Sequence, residues 1–172
     1  LEILKEMGVN AIRTAHNPPA PELLELTDEM GFLVMDEVFD VWSKSKVEYD
    51  YSVYWEDWHE RDLRDFIKRD RNHPSVVMWS IGNEILEQWG DPAGTEIARE
   101  LAEIVRSLDT TRAITDGMNP PNEGNTIATS GALDVIGYNY HHELYPEHYE
   151  NFPGTPMIAT ETTSALATRG AY

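Results

Sequence analysis

The stretch that decides the fold is "RNHPSVVMWSIGNE", residues 71–84. Pro74 lacks a backbone donor and disfavours helix in the residue before it, so any preceding helix must end here. The apolar run that begins at Val76 predicts a buried strand. That strand ends in a Gly-Asn-Glu sequence, which places the carboxylate of Glu84 at the carboxyl end of an apolar segment.

Apolar strands and amphipathic helices alternate along the chain on both sides of this stretch. The strands are apolar throughout, which is typical of a sheet covered on both faces. Such alternation predicts parallel strands with right-handed crossovers, although the helical signal is weak or absent after residue 116. The predicted strands are 11–14, 32–39, 76–84, 113–116, 133–138 and 157–161, the predicted helices are 1–7, 21–31, 55–71 and 94–108, and 40–54 is a predicted loop.

A doubly wound sheet and a (β/α)8 barrel both fit this alternation, and the polar residues decide between them. Functional side chains at the carboxyl ends of many strands are the signature of a barrel active site. No glycine-rich phosphate loop follows a strand, which weakens the nucleotide-binding alternative. We therefore predict an α/β fold, an incomplete TIM barrel with about six of eight strand–helix units, over residues 1–172. The strand-end polar residues are Arg13, His16, Asn17, Asp36, Glu37, Asn83, Glu84, 139–142 and Glu161.

Composition excludes several classes of function. The 172 residues carry a formal net charge of -18, which argues against nucleic-acid binding and against anionic membrane surfaces. The chain has no cysteine, which excludes disulfides, thiolate zinc sites and cysteine nucleophiles. No apolar run reaches the roughly 18 residues of a transmembrane span. The sequence begins at Leu1 within a predicted helix, so we expect a piece of a longer protein, for which the periplasm and the extracellular space are candidate compartments.

Two glutamates end apolar strands in the same context. Glu84 follows "VVMWSIGN", and Glu161 follows "PMIAT". Two carboxyl groups facing each other across a barrel mouth suit glycoside hydrolysis, in which one protonates the leaving oxygen and the other attacks the anomeric carbon. Mutual repulsion and unequal burial can separate their pKa values. For either residue alone, a solvated side chain or a partner for an arginine is the alternative interpretation.

Four segments closely resemble glycoside hydrolase family 2, which holds β-galactosidases, β-glucuronidases and β-mannosidases. The resemblance implies a retaining, exo-acting β-glycoside hydrolase with a carbohydrate substrate, and the last segment looks like the β-galactosidase-type members. We expect neither a cofactor nor a metal. The segments are "NAIRTAHNPP" (10–19), "DEVFDVW" (36–42), "RDRNHPSVVMWSIGNE" (69–84) and "MIATETTSALATRG" (157–170).

The same resemblance implies roles for individual residues. Glu84 is expected to be the general acid/base and Glu161 the nucleophile of a double displacement. Asn83 is expected to hydrogen-bond the sugar 2-hydroxyl. Arg13 is expected to hold the nucleophile in its ionised form by charge and hydrogen bonding.

The tyrosines and histidines are less sharply assigned. A tyrosine of "GYNYHH" (137–142) is expected to donate to the nucleophile, and we favour Tyr140 over Tyr138. Adjacent histidines on a strand point to opposite faces, so a shared metal site there is not expected. The remaining predicted members of the substrate site, as pocket wall or support, are His16, Asp36, Trp42 and His141.

Other functions stay open at this level. The enzymatic alternatives are a β-glucuronidase, a β-mannosidase, or another retaining barrel glycosidase such as an endo-glucanase or mannanase. The non-enzymatic alternatives are a carbohydrate-binding relative, which would lack one glutamate, and an inactive piece whose barrel cannot close. By the family's pattern the chain covers the second through seventh barrel strands and lacks the first and eighth. The resemblance also implies flanking β-sandwich domains in the parent. The sugar, the linkage, exo or endo action and the oligomeric state are not determined.

Overall fold

The computed structural model describes residues 1–164, and within them six parallel strands form one sheet in chain order. The sheet curls into a half-barrel with helices, so the predicted incomplete TIM barrel is confirmed. The end of the predicted 1–172 domain, including part of the fourth family-like segment, lies outside the described residues. The strands are β1 Ala11–Arg13, β2 Leu33–Glu37, β3 Val76–Asn83, β4 Ala113–Met118, β5 Ile136–Asn139 and β6 Met157–Glu161; the helices are α1 Glu2–Glu6, α2 Pro21–Met30, α3 Trp55–Asp70, α4 Pro92–Leu108 and α5 Tyr145–Glu150.

The curl brings the two edge strands of the described sheet toward each other. Ile12 of β1 and Ile158 of β6 line the same trough of about 280 Å³ on the concave face. At the upper end of this trough, Nη1 of Arg13 lies 3.4 Å from the carbonyl oxygen of Thr160. Because all six strands run in the same direction, their carboxyl ends meet around one mouth.

The convex face of the sheet is covered by α3 and α4. Leu63 and Ile67 of α3 and Leu101 and Val105 of α4 are fully buried, and each contributes about 1.5–3 kcal/mol by leaving water. Trp79 of β3 belongs to this layer, and its indole N–H donates to the Asp109 carboxylate at 3.0 Å. No helix within residues 1–164 has the length and apolar character needed to cross a bilayer.

The start of β5 and the presence of a helix after it differ most from the sequence prediction. β5 begins at Ile136 rather than at 133, because the carboxylate of Asp134 accepts a hydrogen bond from the Ile114 backbone N–H at 2.9 Å, and the chain bends there. The helix α5 follows β5 where the helical signal was weak. Its six residues are too few to display a helical period.

A buried acid lies on the convex face of β4, below the mouth. The side chain of Asp116 is fully buried, and neither carboxyl oxygen has a hydrogen-bond partner within the described part of the chain. Burial, reinforced by the negative charge of Glu37, raises the pKa of Asp116 to about 8. A Cβ atom at Gly82 would lie 2.3 Å from Oδ2 of Asp116, so glycine leaves the room that this carboxyl group occupies.

The raised pKa of Asp116 predicts that the stability of the fold depends on pH. Between the unfolded pKa, about 3.9, and the folded value, the folded state binds more protons than the unfolded state, so stability falls as pH rises. The loss is at most about 1.4 kcal/mol per pH unit for one group. We expect Asp116→Asn to flatten this fall and to melt at a higher temperature than the wild type at pH 8. Melting curves between pH 5 and pH 8 measure this, with exposed Asp57→Asn as the control; parallel curves for the Asp116 variant and the wild type would contradict it.

Candidate active site

Alternation along β2 sends its two acids to opposite faces. Glu37 lies on the concave face, where Oε2 accepts hydrogen bonds from Nε of Arg13 at 2.8 Å and from the Ser80 hydroxyl at 2.6 Å. Asp36 lies on the convex face, is 0% exposed, and accepts a hydrogen bond from the Thr14 hydroxyl at 3.1 Å. Burial raises the pKa of Asp36 to about 8. The prediction of Asp36 as a substrate-site residue is therefore wrong, since its side chain points away from the mouth.

Glu161 ends β6 and is held by a cation and a phenol. Nη1 of Arg13 donates to Oε1 at 2.7 Å, and the hydroxyl of Tyr140 donates to Oε2. Nε2 of His16 lies 3.6 Å from Oε1. Burial alone would raise the pKa of Glu161, but the hydrogen bonds from Tyr140 and Arg13 outweigh it and lower the pKa. The two predicted contacts are present, and they stabilise the ionised carboxylate.

Arg13 connects residues from several strands at the mouth of the half-barrel. Besides Glu161, its guanidinium binds the carboxylate of Glu37, and its Nη2 donates to Oδ1 of Asn83 at 2.8 Å. A Cβ atom at Gly117 would lie 2.6 Å from Nη2, so β4 makes room for the guanidinium by presenting a glycine. His16 completes the cluster, because its Nδ1 lies 2.8 Å from Oε1 of Glu37. Charge-assisted bonds of this kind fix the orientation of the arginine.

Glu84 leaves β3 in a different environment. Its φ of 44° lies in the left-handed region, which costs a residue with a side chain on the order of 1 kcal/mol. Its backbone N–H donates to the Gly117 carbonyl at 2.6 Å. Oε1 accepts hydrogen bonds from two side-chain amides, Asn119 at 3.1 Å and Asn139 at 3.0 Å. Of the two strand-end glutamates, Glu161 is therefore bound to a cation and Glu84 to neutral amides.

Asn83, next to Glu84, has its amide orientation fixed by its neighbours. Oδ1 accepts from Arg13 and from Asn139, the latter at 3.1 Å, and Nδ2 donates to Asp40 at 3.2 Å. Asp40 also pairs with Nζ of Lys46 at 2.9 Å. The expected contact of Asn83 with a sugar hydroxyl stays a prediction.

Two other predicted site residues lie outside the mouth. Trp42 is 0% exposed, and its indole N–H donates to the Ile81 carbonyl at 2.9 Å, so it supports β3 from the core. Tyr138 is also buried, and its hydroxyl is hydrogen-bonded to Nδ1 of His148 at 2.5 Å. Neither can touch a substrate in this arrangement, so Tyr138 is not the donor to Glu161, and Trp42 keeps the support role without lining the pocket. His141 is exposed beside Glu143, and its role stays a prediction.

The sequence reasoning placed Glu37 and Asn139 among the strand-end polar residues without giving them a role, and it missed Asn119. Glu37 and Asp36 are adjacent at the end of a strand that is apolar on both faces, so the sequence offered no signal for choosing Glu37. Asn139 ends β5 beside Tyr140 and carried the same strand-end signal. Asn119 lies in the loop after β4, where the sequence offers no periodicity.

The comparisons with known proteins agree with this geometry. The family described as "Glycosyl hydrolases family 2, TIM barrel domain" matches residues 1–167. A β-galactosidase of Bacteroides ovatus is 52% identical over 202 residues, which cover 100% of this chain and 24% of that protein. A putative β-glucuronidase of Formosa agariphila is 36% identical over 172 residues, 100% of this chain and 15% of that protein.

Solved structures give the same result. The crystal structure of a glycosyl hydrolase family 2 member from Bacteroides cellulosilyticus aligns with a TM-score of 0.87 at 43% identity, covering 94% of this chain and 20% of that one. The chain thus spans about a quarter or less of the length of the relatives named here. The match over residues 1–167 nevertheless includes both glutamates and every residue that holds them. This chain belongs to the glycosyl hydrolases of family 2.

Proposed function

We propose that this chain is part of the catalytic barrel of a longer, multidomain retaining β-glycoside hydrolase, in which Glu161 is the nucleophile and Glu84 the general acid/base. The observation that carries the proposal is the unequal treatment of the two carboxyl groups. Arg13 and Tyr140 hold Glu161 ionised, as a nucleophile requires. Glu84 is bound by neutral amides, which leave it free to exchange a proton.

The reaction has two steps. The carboxylate of Glu161 attacks the anomeric carbon, and the bond to the leaving oxygen breaks as that oxygen receives the proton of Glu84. Water then gives a proton to the Glu84 carboxylate and attacks the same carbon, which releases Glu161. Inversion at each step gives net retention of configuration. Hydrogen bonds from Tyr140 and Arg13 stabilise the negative charge that returns to the Glu161 carboxylate as its bond to the sugar breaks.

A neutral sugar, a β-galactoside, fits the charges at the mouth. In the described part of the chain, the cationic side chains there already have carboxylate partners: Arg13 binds Glu37 and Glu161, and Lys46 binds Asp40. The carboxylate of a uronic acid would have to compete for them. The name of the Bacteroides ovatus relative supports the same substrate class, and the relatives named β-glucuronidase make the uronide the competing outcome.

The test uses the full-length reading frame that contains this chain. Purified protein is assayed on nitrophenyl β-galactoside, β-glucuronide and β-mannoside and on polymeric glucan and mannan, with the Glu84→Gln/Glu161→Gln double variant as the blank. We expect the galactoside to be preferred, and proton NMR to show the β-anomer as first product. Preference for the glucuronide would overturn the sugar assignment, and the α-anomer as first product would overturn retention.

Tyr138 and Tyr140, two residues apart at the end of β5, provide a matched pair of variants. The hydrogen bond to Glu161 raises the pKa of Tyr140 to about 12, so this phenol stays a donor throughout the working pH range. We expect Tyr140→Phe to lower kcat by about 10²–10³-fold, as the loss of one donor at a developing charge does. Tyr138→Phe should leave kcat within about threefold and cost about 1 kcal/mol of stability, because only the bond to His148 is lost. Equal kinetic losses in both variants would refute the assignment.

A further inference from the structure

We propose that Asn119 is a positioning residue for the proton-transfer step: it pins Oε1 of Glu84 so that Oε2 carries the exchanging proton. The inference rests on the proposed function, because it concerns how Glu84 delivers and recovers a proton. It starts from an asparagine in the loop after β4 whose contact with Glu84 spans 35 residues of sequence.

Two amide donors converge on one oxygen of Glu84. Nδ2 of Asn119 and Nδ2 of Asn139 lie 3.1 Å and 3.0 Å from Oε1. An amide N–H group donates and cannot accept, so a proton on Oε1 would face two other protons. Oε2 has no such donor within the described residues. The proton given to the leaving oxygen therefore sits on Oε2, and the two amides stabilise the carboxylate that remains.

Asn119 is itself anchored to the loop that carries Glu84. Its backbone N–H donates to Oε1 of Gln88 at 3.1 Å, and Gln88 follows Glu84 by four residues in the loop after β3. The same oxygen of Gln88 accepts from Nδ2 of Asn125 at 2.9 Å, and Asn125 also donates to the Pro120 carbonyl at 3.2 Å. Gln88 and Asn125 are almost completely buried. These hydrogen bonds join the loops after β3 and β4 and hold Asn119 in place beside Glu84.

The two asparagines differ in a way that makes Asn119 the cleaner probe. Asn139 also donates to Asn83 and accepts a hydrogen bond from the Thr160 hydroxyl, so its loss would disturb the sugar site and β6. In the part of the chain that the structure describes, the side chain of Asn119 makes its single hydrogen bond to Glu84. Within the described residues, removing that amide removes one donor to the acid/base and no other side-chain hydrogen bond.

The kinetic consequence is specific. Loss of a donor to the ionised carboxylate favours the protonated form of Glu84, so the basic limb of the pH profile of kcat/KM should move to higher pH. Without the hydrogen bond from Asn119, the Glu84 carboxyl group is also less well fixed, so Oε2 is positioned less accurately against the leaving oxygen. That looseness matters most for a leaving group that needs full protonation, and least for an acidic phenol.

The experiment compares Asn119→Ala with Asn122→Ala in the full-length protein. Asn122 lies in the same loop and hydrogen-bonds the Gly124 backbone rather than Glu84. For Asn119→Ala we expect the basic limb to rise by about half a pH unit or more, and kcat/KM to fall about tenfold on an alkyl β-galactoside but less than about threefold on a dinitrophenyl β-galactoside. Asn122→Ala should match the wild type in all three measurements.

Asn119→Asp gives a second, isosteric test. It keeps the shape of the side chain but replaces the donor by a carboxylate oxygen, so the basic limb should move further than in Asn119→Ala. If the alanine variant fails to fold, the same measurements are made on Asn119→Asp. An inactive wild type would overturn the proposed function and this inference with it. An active wild type whose Asn119 variants lose rate equally on both substrates, with an unmoved basic limb, would overturn the inference alone.

Discussion

Replacement of Glu161 by Ala in the full-length protein is expected to lower turnover of every β-glycoside by at least about 10⁴-fold. The reason is that Glu161 forms the covalent bond itself, and no leaving group can compensate for its loss. Arg13 and Tyr140, which hold its carboxylate, remain in place and have no nucleophile to support. The measurement is kcat on aryl and alkyl β-galactosides, with exposed Glu123→Ala as the surface control.

Azide distinguishes this role from any other essential role. In the Glu161 variant the lost carboxylate leaves space below the anomeric carbon, so azide should attack there and give the α-galactosyl azide. Formation of the β-azide by this variant, with none from the Glu84 variant, would show that the two roles are reversed.

Replacement of Glu84 by Ala is expected to do damage that depends on the leaving group. General acid catalysis contributes about 10²–10⁴-fold, so an alkyl β-galactoside should lose about 10³-fold in kcat/KM. A dinitrophenyl β-galactoside needs little protonation and should lose less than about tenfold. Its covalent intermediate should then accumulate, because Glu84 is no longer there to activate water, and a burst of phenol should precede slow turnover.

Added azide should rescue the Glu84 variant with retained configuration. Azide needs no general base, so it can capture the intermediate on the face that water would use and release the β-galactosyl azide. Rescue should raise the steady-state rate on the activated substrate to the rate of the burst. Uniform loss on aryl and alkyl substrates, without a burst and without rescue, would remove Glu84 from the acid/base role.

The sequence alone was sufficient for the parts of this protein that depend on local pattern. The apolar run after Pro74 and its Gly-Asn-Glu end specify a buried strand with a carboxylate at its carboxyl end. Glu161 repeats that pattern, and repetition in a chain of alternating strands and helices predicts a shared mouth. The predicted contacts of Arg13 and Tyr140 with Glu161 followed from the family resemblance and are present in the structure.

What the tertiary structure decided is which side chains on those strands face the mouth and which distant loops reach it. A strand that is apolar on both faces has no alternation to mark its inner side, and β2 also shifts register between Val34 and Met35. Asp36 and Glu37 therefore could not be told apart by polarity, although one is buried under helices and the other binds Arg13. Asn119 reaches Glu84 only because strands β3 and β4 pair side by side, a contact between residues far apart in sequence. Local pattern determines where a strand runs and ends, whereas register and loop packing, which depend on the whole folded chain, determine what surrounds its last carboxylate.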